Sequence, residues 1–232
     1  MPAARLSQRL AAEALGTGGL LVAIVGSGIM GEQLAAGNAG VALLANSLAT
    51  GCALWVLIEI LAPISGAHFN PLVSAVAATR NELPWAEAGA YIGVQLAAAL
   101  AGVALAHLMF DLPPWRAGTH PRAGAGQWLG ECVAAAGLLL VVLLGRDARP
   151  AALPALIAVY ITGAYWFTSS TSFANPAVTL ARSATDSFSG IRPGDVPGFV
   201  GAQIVGALCA VAIAGRLRGG GVVSGAAPPR RR

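Results

Sequence analysis

Ser65-Gly66-Ala67-His68-Phe69-Asn70-Pro71-Leu72 and Ser170-Thr171-Ser172-Phe173-Ala174-Asn175-Pro176-Ala177 are two copies of one motif in a very apolar chain, with their Asn-Pro pairs 105 residues apart. Each Asn-Pro opens an apolar stretch, Pro71 to Ala78 and Pro176 to Ala181. At ~1.5 Å per residue such a stretch is too short to cross a hydrocarbon core of roughly 30 Å. Asn is a favoured helix N-cap and Pro a favoured first helical residue, so each stretch is expected to be a short helix. One Asn-Pro alone would read as a turn. Two copies, each preceded by a Gly/Ser/Thr-rich segment suited to non-helical backbone, read as a pair of half-helices inside a membrane. Backbone that stops at membrane depth is tolerated only where protein buries it or where it lines a watery path. Paired half-helices therefore imply a pore.

The composition agrees with a membrane setting. The chain of 232 residues is 56% hydrophobic and 10% charged, against roughly 25% charged in a soluble globular domain. Apolar runs bounded by charge or Pro predict six spans, near 10–30, 40–62, 86–108, 126–145, 151–168 and 196–215. With six spans the expected fold is an all-α membrane protein, and one channel domain covers residues 1–218. Residues 219–232 lack apolar periodicity and are expected to form a disordered tail. Arg supplies all 14 basic residues. Placing both termini in the cytoplasm puts Arg5, Arg9, Arg80, Arg146, Arg149, Arg216, Arg218, Arg230, Arg231 and Arg232 on that side. Only Arg116, Arg122, Arg182 and Arg192 are left outside, so the positive-inside rule favours this orientation. No basic stripe points to nucleic acid. Cys52, Cys132 and Cys209 lie in predicted spans and read as packing residues, and no His/Cys spacing suggests a metal or cofactor.

The chain is also two related halves, about 1–108 and 124–218. Glu13 in Ala-Glu-Ala-Leu-Gly echoes Glu131 in Gly-Glu-Cys-Val-Ala, and the sequence around Gln95 echoes that around Gln203. Three spans per half is an odd number, so the second half is expected upside down relative to the first, as in the inverted repeats of transport proteins. The two half-helices then meet at the bilayer centre by their N-termini. Their positive dipole ends point at one spot, where cations are repelled. Asn70 and Asn175 each offer an amide N–H to a passing hydroxyl while the side-chain oxygen caps its own helix.

On the two Asn-Pro motifs, the paired glutamates and the inverted halves, the sequence resembles the aquaporin (major intrinsic protein) family over almost its whole length. It departs from the usual motif at Leu72, where the family has Ala, and at Val178. The resemblance implies six transmembrane helices plus two re-entrant half-helices, a homotetramer with one pore per subunit, and a central region that blocks proton passage. It also implies that Glu13 and Glu131 brace the re-entrant loops and that His68 lines the inner vestibule. Carried over by distance from the two Asn residues, the family's narrow outer filter falls on Thr50, Gly163, Ser172 and Val178. A water-selective member has an aromatic, His, a small residue and Arg at these positions. Three bulky groups and the fixed charge are therefore missing here, and a wide pore is expected. Such a pore suits glycerol-type polyols, urea, and arsenous or antimonous acid, with water passing too; metalloid passage is the leading expectation, because aquaporin-like proteins without the filter Arg include metalloid facilitators. Abundant Ala, Gly and Arg suggest a GC-rich genome and a bacterial inner membrane.

Arg182 lies one turn beyond Val178 on the same helical face. It either reaches back into the outer vestibule or sits at the interface paired with Asp186 or Asp195. His107 and His120 are expected to be ordinary interfacial or loop residues, and Glu59 is expected to snorkel from its span. Two other functions compete. An orthodox water channel would need Arg at position 178, and an ion-coupled transporter would need a titratable relay near the membrane centre, for which Glu59 is the one spare acid. A membrane enzyme is disfavoured, since no activated nucleophile or paired carboxylate set appears.

Overall fold

The computed structural model describes residues 4–219. The expected tail lies outside the described residues, apart from Gly219. The helices are α1 (Leu6–Leu34), α2 (Ala39–Ser65), α3 (Pro71–Thr79), α4 (Trp85–Met109), α5 (Ala125–Ala148), α6 (Leu153–Phe167), α7 (Pro176–Arg182) and α8 (Val196–Gly219). Six of them are long and apolar enough to cross a membrane, α6 and α8 counted with the short 3-10 turns that precede them. The other two, α3 and α7, are the half-helices.

Local chemistry sets where these elements begin and end. Pro63 was expected to close the second span, yet α2 runs through it to Ser65. A proline so near a helix end forfeits only one late backbone bond. The helix stops at Gly66, whose φ of 89° is left-handed and whose N–H bonds to Ala62 O at 2.9 Å. Asn70 and Asn175 are extended caps with their side-chain oxygens on the first turns of α3 and α7, each followed by Pro.

Within the first half α1 packs against α2 and α4, and within the second α5 packs against α6 and α8. Lipid provides no hydrophobic drive for helices to associate, so close approach depends on small residues. Gly102 of α4 lies so near α1 that a Cβ would overlap Gly18 O, and Gly206 of α8 is held in the same way against Cys132 O of α5. At Gly93 and Gly201, by contrast, a Cβ would meet nothing within 4 Å among the described residues. The halves interlock because α2 meets α6 and each half-helix touches both α4 and α8. Large apolar side chains such as Leu48, Val56, Leu105 and Val159 face outward, as expected of a protein solvated by lipid. The deepest positions include polar residues, Glu13, Gln95, Glu131, Gln203 and Arg182 among them. That inversion of the usual pattern marks where the site is.

Candidate functional site

The segments that lead into the two Asn residues follow one backbone path. Gly66, Ala67 and Phe69 have φ of 89°, 50° and 48°; 105 residues later Thr171, Ser172 and Ala174 have φ of 59°, 50° and 50°. Left-handed backbone at non-glycine residues costs on the order of 1 kcal/mol or more each, so something must hold it. On the first side it is Glu13, fully buried, which accepts from Ser65 Oγ at 2.7 Å, His68 N at 2.9 Å, Phe69 N at 2.7 Å and Gln95 Nε2 at 2.8 Å. On the second it is Glu131, which accepts from Phe173 N at 2.8 Å, Ala174 N at 2.9 Å and Gln203 Nε2 at 2.6 Å. The same glutamines reach the half-helices through Ser74 and Thr179, each four residues after its Asn. Glu131→Ala would strand two buried N–H groups at about 1–3 kcal/mol each. We therefore expect it to lower the midpoint of thermal unfolding in detergent by several degrees, with Glu59→Ala near wild type, because the Glu59 carboxylate is exposed on the outer face and takes only the Trp55 indole N–H.

The two Asn residues are tied across the junction of the halves. Asn70 Nδ2 donates to Ala174 O at 2.9 Å and Asn175 Nδ2 donates to Phe69 O at 2.8 Å. Their Oδ1 atoms accept from Leu72 N and Ala177 N, both at 2.9 Å. Each amide thus has one N–H fixed and one remaining. Leu72 is buried in the core and leaves the two cross-links nearly equal in length.

Both Asn residues line a cavity of about 180 Å³. Its walls are stripes of residues four apart: Thr50, Leu54, Ile58 and Ala62 on α2; Leu138, Val142 and Arg146 on α5; Ile157, Ile161 and Tyr165 on α6. Four-residue spacing keeps side chains on one face of a helix. From Leu153 to Tyr165 the α6 wall extends ~18 Å at 1.5 Å per residue, so the cavity is a passage and not a surface dimple. Arg146, Pro150 and His68 mark one end, and Thr50, Tyr165, Ser172, Phe173 and Val178 contribute near the other. Three of the four filter positions carried over from sequence are therefore brought together. Gly163 is not, because it lies two residues from both Ile161 and Tyr165 and so about 200° around the helix from each. The atom nearest to where its Cβ would stand is on Phe167, at 3.7 Å. Tyr165 occupies the wall instead, with its Oη 3.3 Å from Thr50 Oγ1. Tyr165 thus stands where an emptied wall was expected, and Phe173 also contributes to the lining while its ring packs edge-on against Phe199. Ser172 Oγ is buried and has no hydrogen-bond partner among the described residues.

The family described as Major intrinsic protein matches this chain over residues 2–167. The chain belongs to the major intrinsic protein family. Among its relatives, aquaglyceroporin AqpS of Rhizobium meliloti (strain 1021) is 57% identical over 208 residues, covering 90% of this chain and 89% of that protein. A probable aquaporin of Arabidopsis thaliana, NIP4-2, is 32% identical over 68% of this chain and 56% of its own length. The crystal structure of the aquaglyceroporin from Plasmodium falciparum superposes with a TM-score of 0.70, covering 91% of this chain and 95% of that one at 19% identity. That likeness establishes the shared fold.

Within this major intrinsic protein fold several residues take places that sequence left open or missed. His68 lines the cavity, with Nδ1 3.1 Å from Ser74 Oγ and its ring edge-on to Tyr91. Arg182 is 1% exposed, does not line the cavity and pairs with neither Asp186 nor Asp195. Those acids hold loops: Asp186 accepts from Thr119 N and Oγ1, and Asp195 from Arg122 N and Arg192. His107 is buried, with Nδ1 on Pro113 O and Nε2 on Thr185 Oγ1, both at 2.7 Å. It ties the loops beyond α4 and α7. Tyr165 could have been found by continuing the i, i+4 stripe along α6; nothing local in the sequence signals Phe173 or Arg122.

The loop anchor at Asp186 carries a pH dependence. Hydrogen bonds from the Thr119 side chain and backbone hold the Asp186 carboxyl below its usual range. A carboxyl depressed in the folded state stabilises above its unfolded pKa, about 3.9, and loses that contribution as pH falls through the lower folded value. Proteolytic nicking of the 110–124 and 183–192 loops is therefore expected to stay flat from pH 7 to pH 5 and to rise only below about pH 4. Asp186→Asn should raise nicking at neutral pH and flatten the acid response.

Proposed function

We propose that this protein is a passive channel for small neutral polyhydroxy solutes, glycerol-type polyols and arsenous or antimonous acid, with water passing as well. The observation that carries this reading is the cavity's outer end, where Thr50, Tyr165 and Ser172 line the wall beside an uncharged Val178 and the Thr50 and Tyr165 hydroxyls stand 3.3 Å apart. Hydroxyls that both donate and accept can replace the hydration of a polyol or an inorganic trihydroxide, and the missing charge and bulk at position 178 leave room for it. The Tyr165 side chain, with its hydroxyl beside that of Thr50, makes the outer end less open than the filter positions alone imply. The paired Asn amides at the junction of two helix N-termini supply the electrostatic part of ion exclusion. The name aquaglyceroporin carried by the relative AqpS, and that of the glycerol uptake facilitator of Bacillus subtilis, 36% identical over 63 residues, support the same class. Glu59 faces outward, off the stripe of α2 residues that line the cavity, which disfavours an ion-coupled mechanism built on it.

In this proposal the functional unit is a homotetramer in a bacterial inner membrane with both termini in the cytoplasm. The Arg distribution supports the orientation and the outward apolar surface supports the lipid contact. The test is stopped-flow light scattering on vesicles with and without the purified protein, in gradients of glycerol and of a larger polyol, with arsenous acid uptake measured beside them. Glycerol and arsenous acid permeability well above protein-free vesicles is expected. Water permeability alone would instead make this a water channel.

A further inference from the structure

Resting on the channel reading above, we propose that Arg182 is a specificity-determining residue: acting across Phe173, it gives the outer pore the positive potential that position 178 does not supply, and so keeps small cations out while neutral solutes pass. Phe173 lines the cavity, and the Arg182 guanidinium lies against its ring, 3.4 Å from the centroid. Phe173 is thus in contact with both the guanidinium and the cavity, with its ring also packed edge-on against Phe199.

Three features distinguish Arg182 from a loop tie. Its Nε donates to Ser189 O, but among the described residues its buried Nη1 has no partner. The two carboxylates within its reach in sequence are engaged elsewhere, Asp186 with Thr119 and Arg116 and Asp195 with Arg122 N and Arg192. A second guanidinium, that of Arg122, stands 5.0 Å from the same ring and bonds carbonyl oxygens of Gly190, Ser170 and Phe188 and the Thr171 hydroxyl, not a carboxylate. The buried acid of this half, Glu131, touches neither guanidinium, accepting instead from Phe173 N, Ala174 N and Gln203, and it offsets their two positive charges only in part and through space. Arginine stays protonated in proteins. Among the described residues no carboxylate contacts Arg182, and two guanidiniums face one nearby acid, so a net positive field extends several ångströms from this buried pair. A buried cation with an unpaired donor is expensive to keep and is a functional candidate for that reason. The charge therefore stands beside the outer pore without occupying it. Cation exclusion and room for a polyol, which a charge at position 178 would set against each other, are then compatible.

The test uses the full chain in vesicles carrying Arg182→Gln or Arg182→Lys, each on an Asn70→Asp background, where exclusion at the half-helix junction is weakened and the outer barrier becomes measurable. Sodium leak is followed with an entrapped sodium indicator, and glycerol flux is measured on the same vesicles. Arg182→Gln is expected to raise sodium leak at least about tenfold over the background and Arg182→Lys to leave it within about twofold, with glycerol flux little changed in both. Adding Val178→Arg to the Gln variant should restore exclusion, which a merely structural role for Arg182 does not predict. Equal leak in the Gln and Lys variants would overturn the proposal. If the Gln variant does not insert, Phe173→Ala serves, because it leaves Arg182 in place and removes the ring. Glycerol flux through that variant should become sensitive to phenylglyoxal, an arginine reagent, and lose the sensitivity when Arg182→Lys is added. Absence of block would equally overturn it. Absence of glycerol flux in the wild-type vesicles would instead be a failure of the channel reading.

Discussion

Val178→Arg is expected to cut glycerol and arsenous acid permeability at least tenfold, equivalent to about 1.4 kcal/mol of added barrier, while water permeability falls severalfold less. Val178 is 2% exposed in the wall that also contains Thr50, Tyr165 and Ser172. A guanidinium there fills the space a polyol needs and leaves a gap that still admits water. It also introduces a third cation beside Arg122 and Arg182, so a loss of thermal stability accompanies the loss of flux. Comparing water, glycerol and arsenous acid on one vesicle preparation separates a narrowed pore, which spares water, from a misfolded one, which spares nothing. If all three permeabilities kept their wild-type values, position 178 would lie outside the selective region.

The second large effect concerns the Asn pair. Asn70→Asp and Asn175→Asp keep a capping oxygen for the half-helix but remove the amide that bonds the opposite loop, Ala174 O in one case and Phe69 O in the other. A carboxylate then faces a carbonyl oxygen across a buried junction, and the lost bond with its stranded acceptor costs about 1–3 kcal/mol. The negative charge also cancels part of the positive field of two helix ends. Reduced glycerol flux and a raised cation leak are expected together, measurable by light scattering and by an entrapped sodium indicator. Asn→Ala should lose mainly the cap, about 1 kcal/mol, with lower flux but less leak. Wild-type flux and ion exclusion in both Asp variants would remove the Asn residues from the constriction.

Much of this arrangement was legible in the chain because it is repeated. An offset of 105 residues links the Asn-Pro motifs, and the same offset links the left-handed residues Ala67 with Ser172 and Phe69 with Ala174, so one half checks the other. The half-helices were readable because Asn-Pro carries a cap and a first-turn residue in two letters. The places of Tyr165 and Arg182 were not. Counting twelve residues back from Asn175 reaches Gly163, but counting along a chain does not say which way a helix face turns, and α6 presents Ile157, Ile161 and Tyr165 to the cavity. Arg182 was expected to find Asp186 or Asp195 by proximity in sequence. Thr119, Arg116, Arg122 and Arg192 hold those acids instead, and three of the four come from a loop some 65 to 75 residues away. Such long-range pairings leave no local pattern to read. Glu13 and Glu131 illustrate the opposite case: an acid in an apolar run must find donors, and the loops in left-handed conformation supply them.

The most direct test of the central claim, passive conduction of neutral solutes through this cavity, is glycerol and arsenous acid uptake into proteoliposomes with and without an imposed proton or sodium gradient. Uptake that rises linearly with outside concentration, stops at equal concentrations on the two sides and ignores both gradients is the predicted result. Accumulation above the outside concentration when either gradient is imposed would contradict it.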